Sequence, residues 1–171
     1  MIVYSSKYRS IQKEVLDDLN LGGTELRGML SDLKKVNRLL GGNRVTIRGI
    51  SYLLKNKPVN GPITILDVGC GDGEQLRRVA DFGKRNQLEL KLIGVDANPN
   101  ILETAKDRSN DYPEITYRKL DIFQLDQTDI VYDIVLCTLF LHHFSGNEIA
   151  TILKTLTKNA KVGVVINDLH R

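Results

Sequence analysis

The sequence predicts an α/β protein built on a doubly wound, mostly parallel sheet. Three observations carry that prediction. From Ile63 onward, short apolar β-rich runs alternate with helical patterns. The runs are nearly continuous in apolar residues rather than alternating, as strands buried on both faces are. Helix starts are marked between them, by Asn98-Pro99 and by Ser145 with Glu148. Right-handed crossovers then place helices on both faces of one sheet.

The elements follow in order. Up to residue 60 the chain reads as helices. From Thr24, apolar residues fall at Leu26, Met29, Leu30, Leu33, Val36, Leu39 and Leu40, which makes one stripe. Thr24 suits an N-cap and Gly41-Gly42 a stop. A second, short helix follows Thr46, with Val45 and Ile50 placed as a hydrophobic staple. Residues 55–62 read as a linker broken by Pro58, Asn60, Gly61 and Pro62. The first strand is Ile63–Val68, followed by a Gly-rich turn and a helix over about 74–86. Residues 88–95 form the second strand. Asn98 and Pro99, an N-cap and N1 pair, open a helix over about 99–108. Strands three and four cover 115–120 and 132–139. A Ser145/Glu148 capping box starts a helix carrying Ile149, Ile152, Leu153 and Leu156, and 162–166 is the fifth strand.

Composition sets outer limits. With 171 residues, 42% apolar and 26% charged, the chain is of ordinary globular make-up, and disordered, collagenous and coiled-coil classes are excluded. It has no apolar run of 18 residues, so no membrane span is expected. Residues 1–10 are polar and lack an apolar signal core, and the two cysteines fit a reducing compartment; the expected location is the cytoplasm. Residues 1–60 carry 11 Lys/Arg against 5 Asp/Glu, a net of +6, and residues 61–171 carry 13 against 16, a net of −3. A basic leader of that kind is either a solvated helix face or a surface for an anionic partner. The expected division is a helical lid or appendage at 1–60 and a ligand-binding domain at 61–171.

In such sheets ligands bind beyond the carboxyl ends of the strands. Strand one is followed by Asp67-Val68-Gly69-Cys70-Gly71-Asp72-Gly73. Glycines there allow a tight turn and close approach of a ligand to the backbone. A dinucleotide fingerprint needs its third glycine three residues after the second, a position that Glu74 occupies here. The turn also lacks the Lys-Ser/Thr of a P-loop. Asp67 and Asp72 suit a ligand with positive charge nearby. Asp96, ending strand two, is placed to accept from two ribose hydroxyls. Asp121-Ile122, after strand three, stands where an adenine edge would lie.

Together the runs ILDVGCGDG, GVDANP, KLDIF and YDIVLCTLFLHHF resemble the class I S-adenosylmethionine-dependent methyltransferases, over roughly residues 60–171. The LHHF run after strand four is similar to that of the quinone-biosynthesis and small-molecule branch. The resemblance implies a Rossmann-like fold and S-adenosyl-L-methionine as cofactor. It assigns Asp67, Gly69, Cys70, Gly71 and Gly73 to the methionine part and Asp96 with Ala97 to the ribose. Asp121 and Ile122 go to the adenine, and Cys137 and Thr138 to the methyl-bearing side. The chemistry agrees, since a sulfonium cofactor needs carboxylates and no phosphate clamp. The protein then mainly aligns acceptor, methyl and sulfur.

His142 and His143 are the candidate catalytic bases, able to deprotonate a phenol, enol or amine; the alternative roles are packing on the cofactor and solvation. Asn167, Asp168 and His170 follow strand five, either lining an acceptor pocket or simply ending the strand. Cys137 lacks a flanking Pro and reads as a packing or cofactor-lining thiol, Cys70 as a small filler, and no metal-ligand spacing is present. The D/N-P-P-Y/F run of amino-methylating DNA enzymes is absent, which argues against nucleic acid and for a small-molecule acceptor. Met29, Leu30 and Leu33 either cover that acceptor or dock on the sheet. Two other readings stand beside this one: a cofactor-binding or interaction domain without turnover, and an RNA methyltransferase using the basic leader.

The family sheet has seven strands in the order 3-2-1-4-5-7-6. This chain accommodates five, 3-2-1-4-5, and is expected to lack strands six and seven as a truncated or natural fragment. Strand five would then be an open edge through which a homodimer could pair.

Overall fold

The computed structural model describes residues 23, 28, 30, 42–59 and 61–168. Most of the amphipathic stretch that starts at Thr24 lies outside the described residues, as does His170. Leu30 is described, and it is buried in the main core.

Five parallel strands form one sheet in the expected order, β3-β2-β1-β4-β5. They are β1 (Ile63–Val68), β2 (Leu90–Asp96), β3 (Ile115–Lys119), β4 (Ile134–Thr138) and β5 (Gly163–Asn167). They are accompanied by the helices α1 (Gly42–Asn56), α2 (Glu74–Arg85), α3 (Pro99–Arg108) and α4 (Gly146–Asn159). The near-continuous apolar strands are explained by two cores. Ile63 and Ile65 of β1 and Ile134 and Leu136 of β4 pack with Ile50 of α1 and Leu76 and Val79 of α2. Their neighbours Leu66, Val68, Val135 and Cys137 point the other way and pack with Ile152 and Leu156 of α4. Each such side chain contributes about 1.5–3 kcal/mol by leaving water.

The caps form as expected. Asn98 Oδ1 accepts from the Asn100 N–H at 2.9 Å with Pro99 in the first turn. Glu148 Oε2 accepts from the Ser145 N–H at 2.8 Å, the acidic half of the capping box.

Two expectations change. Gly42 starts α1, and Thr46 is not a cap: it lies inside a 15-residue helix, 0% exposed. Val45 is 52% exposed and staples nothing. Thr46, Ile50 and Leu53 form the inner stripe, and its burial outweighs the low helix propensity of Gly42 and Gly49. The linker therefore begins after Asn56. Two short 3₁₀ turns, Ile122–Gln127 and Leu141–His143, had no signal in the periodicity.

Helix α1 docks on the β4–β5 side of the sheet. A Cβ on Gly49 would lie 2.6 Å from Val165 Cγ1, so helix and strand are in backbone-close contact. Lys57 Nζ donates to the Val162 carbonyl at 3.1 Å. The outer edge of β5 pairs with no strand among the described residues. No helix among them is long and apolar enough to cross a membrane.

Gly49→Val is expected to destabilise the protein by about 1–3 kcal/mol in urea unfolding, because Val165 cannot yield without repacking β5. Tyr52→Ala, at a position 68% exposed on the same helix, is expected to change stability by less than about 0.5 kcal/mol. Equal effects would contradict this docking.

Candidate functional site

The carboxyl ends of the strands carry most of the residues singled out from the sequence. Gly69, Gly71 and Gly73 all adopt positive φ, at 65°, 53° and 75°. That backbone is open to glycine at little cost and strained for other residues. The three differ in what they face. A Cβ on Gly69 would overlap the Phe140 ring, and one on Gly73 would overlap the Tyr117 hydroxyl. One on Gly71 would meet nothing closer than Ile101 Cδ1 at 3.9 Å. Gly71 is therefore where the loop leaves room for a ligand.

Asp96 sits against that room. Its Oδ2 accepts from the Gly71 N–H at 3.1 Å and its Oδ1 from the Asn98 N–H at 3.0 Å. Burial raises its pKa, opposed by the backbone bonds from Asn98, Gly71 and Ala97 and by the charge of His143. Asp67 is buried beneath the loop, and burial followed by the Asp96 charge pushes it up to about 8. The Cys70 thiol is pushed well up by burial, then by Asp67, Asp96 and Asp72. Tyr117, whose hydroxyl meets Ser109 Oγ at 2.8 Å, is pushed up to about 12, chiefly by burial. The floor of the site is thus desolvated and acidic, and a nearby cation would favour its ionised form.

Asp72 does something else. It pairs with Arg108 and, at 3.6 Å, with Arg77, and its Oδ1 accepts from the Glu74 N–H at 3.0 Å. Its charge is spent on fixing the glycine loop to α2 and α3, not on a ligand. Asp121 is exposed and caps the first 3₁₀ turn, accepting from the Phe123 N–H at 3.0 Å, while Ile122 is buried behind it. Cys137 is fully buried in the α4-side core, and its thiol is pushed up by burial, then by Asp168 and Asp67. Thr138, half-buried at the end of β4, has its Oγ1 3.4 Å from Thr46 Oγ1. Asn167 Nδ2 donates to Thr46 at 3.3 Å, so α1 joins the strand ends through a hydroxyl–amide cluster.

The turn after β4 is held by Asp168. Its Oδ2 accepts from the N–H groups of Phe140 and Leu141 at 3.1 and 2.6 Å. Its Oδ1 lies 2.5 Å from Nδ1 of His142, whose side chain is 7% exposed. An ionised carboxylate only accepts, so the proton of that contact belongs to Nδ1. His143 stacks on His142 with ring centroids 4.1 Å apart. Leu139 opens this turn at φ 50°, a left-handed conformation that costs a branched side chain about 1–3 kcal/mol. Phe140 and Phe144 pack edge to face at 4.9 Å, and Phe123 meets Phe144 at 5.7 Å. The sequence named Asp168 without naming its partner, and it gave Thr46 and Phe140 no part in the site. Among the described residues no group of His, Cys, Asp and Glu is arranged to hold a metal.

Residues 65–163 match the sequence family described as a methyltransferase domain. No curated protein sequence matches the chain. Magnesium protoporphyrin IX methyltransferase from Synechocystis PCC 6803, solved with bound SAM, is 21% identical over 71% of this chain and 55% of its own, with a TM-score of 0.56. The plantazolicin methyltransferase BpumL, in complex with SAH, is 22% identical over 80% of this chain and 49% of its own, with a TM-score of 0.56. The DszA carbon methyltransferase is 20% identical over 70% of this chain and 32% of its own, with a TM-score of 0.59. This likeness is one of fold, and the chain spans between 32% and 55% of those three proteins.

Asp67 links the site to stability. Its folded pKa of about 8 lies above its ordinary 3.8. Between those values the folded state keeps a proton that the unfolded state has released, so stability falls as pH rises and levels off above 8. Asp67→Asn is expected to raise thermal stability progressively from pH 4 to 8, reaching a gain on the order of 5 kcal/mol. A gain independent of pH, or a loss, would show that Asp67 is ionised in the folded protein.

Proposed function

The chain belongs to the methyltransferase-domain family, and on that premise we propose that it is an S-adenosylmethionine-dependent methyltransferase acting on a small molecule by in-line transfer. The observation that carries this reading is Asp96 seated against Gly71, beside the one part of the glycine loop with open space. The donor set fits the cofactor. Asp96 would take the ribose hydroxyls with its remaining lone pairs, and Asp121 with Ile122 would take the adenine. The Asp67–Asp96 pair would offset the positive charge. The sulfonium, when bound, supplies an activated methyl group and leaves as a neutral thioether.

The protein's own part is to orient and to move a proton. Orientation can contribute up to roughly 7–11 kcal/mol. Asp168 fixes His142 in the tautomer that carries its proton on Nδ1, so Nε2 is the basic nitrogen. That nitrogen would take the proton of a phenol, enol or amine as the methyl arrives. The aromatic wall of Phe140, Phe144 and Phe123 supports an acceptor with a planar apolar body. The LHHF run supports the same preference through its likeness to the quinone-biosynthesis branch. The open outer edge of β5 is the surface through which two copies would pair.

Calorimetric titration with S-adenosylhomocysteine is expected to give saturable binding, weakened about tenfold or more in Asp96→Ala. In a labelled-methyl screen of phenols, quinols and enols, transfer is expected to at least one class. His142→Ala and Asp168→Asn should then lower kcat by about 10²–10⁴ while leaving S-adenosylhomocysteine affinity unchanged. Binding without transfer to any acceptor would point instead to a cofactor-binding domain. Wild-type affinity in Asp96→Ala would refute the cofactor placement.

A further inference from the structure

Asp72 stands between Gly71 and Gly73, both at positive φ. Glycine has the freest backbone of all residues, so a loop rich in it is ordered only at an entropic cost. The Asp72 side chain is what ties this stretch down. It is buried and pairs with Arg108, the last residue of α3, which lies 36 positions on. Arg77 of α2 joins at 3.6 Å and also donates to the Asp72 carbonyl at 2.6 Å. The same Arg77 nitrogen reaches Ser109 Oγ at 3.2 Å, and Ser109 meets the Tyr117 hydroxyl of β3 at 2.8 Å.

The other end of α3 holds the same loop. Asp96 accepts from the Gly71 N–H and from the N–H of Asn98, the N-cap of α3. A ring of contacts therefore closes. It runs from Gly71 to Asp96, from Asp96 to the start of α3, and from the end of α3 back to Asp72. Opening the ring at Arg108 leaves Asp96 bonded to Gly71 but removes one of the cations that hold the residue after it. The Arg108 side chain is 34% exposed, so replacing it opens no core.

We propose that Arg108 is a positioning residue for the cofactor: through Asp72 it pre-orders the glycine loop that the cofactor meets, without being a ligand to it. This rests on the S-adenosylmethionine reading above. A loop already ordered before binding spends none of the binding energy on being ordered. With the Arg108 contact gone, Asp72 sits between two glycines with less to hold it, and the ordering cost falls on the ligand. The cost appears as lost affinity and not as a slower transfer step once the cofactor is bound.

The test is calorimetric titration of S-adenosylhomocysteine into the wild type and its variants. Arg108→Met is expected to weaken binding about three- to thirtyfold. Arg108→Lys should restore most of it, because the contact runs through one guanidinium nitrogen, Nη1, and a single charge can stand in for it. Arg108→Met combined with Asp72→Asn is expected to bind no more weakly than Asp72→Asn alone, since both act through one contact. Lys84→Met removes the Lys84–Glu114 pair in the last turn of α2 and is expected to bind as the wild type does. ¹⁵N relaxation reads the cause. Backbone order at Asp72 and Gly73 is expected to fall in unliganded Arg108→Met and to return with S-adenosylhomocysteine. Wild-type affinity in Arg108→Met, equal losses in its Met and Lys variants, additive losses in the double variant, or unchanged loop order would each overturn the proposal. A wild type that binds no S-adenosylhomocysteine would fell the cofactor reading and this proposal with it. The unliganded loop order would still show whether Arg108 holds the loop, which keeps the two failures apart.

Discussion

The structure depends on one constraint, the parallel pairing of β1 with β4 at the centre of the sheet. Their register runs from Ile65 opposite Ile134 to Val68 opposite Cys137. The chain leaves β1 toward β2 and β3 and leaves β4 toward β5, in opposite directions. No loop can then close over the gap between their carboxyl ends, and a crevice is left there. The pairing is held by side chains that are fully buried on both faces, Ile65, Leu66, Ile134, Val135 and Leu136 among them. The apolar continuity that builds the core is thus also what creates the site.

Around that crevice the local structure is bent out of its resting preferences. Three glycines take positive φ on one side, and Leu139 does so on the other without being glycine. The two turns meet where the Phe140 ring lies on Gly69. Such strain persists only where neighbours over-determine it. On the β1 side, Asp72 is clamped by Arg77 and Arg108 and bonded to the Glu74 N–H. On the β4 side, Asp168 binds two backbone N–H groups and His142. The remaining carboxylates, Asp67 and Asp96, are left desolvated, and the charge of Asp96 adds to the upward shift of Asp67. An unliganded protein gains nothing from that arrangement. A cation between them would change its sign.

Much of this was legible in the sequence, and the limits have physical causes. Strands and their order were readable because burial on both faces demands uninterrupted apolar runs. The α3 and α4 caps were readable because capping is local. Asp96 and the glycine loop were readable because strand ends fix their stations. Helix α1 was misjudged at Gly42 and Thr46, where local propensity argued for a break and burial against β5 decided otherwise. Contacts across long separations left no local trace: Asp72 with Arg108, Phe140 with Gly69, Thr46 with Asn167. The Asp168–His142 pair had one available signal. Once β4 and β5 are paired with Thr138 opposite Asn167, Asp168 must lie beside the turn that begins at Leu139. Strand parity likewise puts Cys137 on the α4 side of the sheet, with Val135.

The central claim is that the β1–β4 crevice is the cofactor site, with the ribose at Asp96 and the adenine beyond β3. A backbone amide shift map on saturation with S-adenosylhomocysteine tests it most directly. Movement is expected at Gly69–Gly73, at Asp96 and Ala97, and at Asp121 and Ile122, with the solvent face of α1 and the outer edge of β5 unmoved. Movement confined to α1 or the β5 edge, or none at saturating ligand, would contradict it.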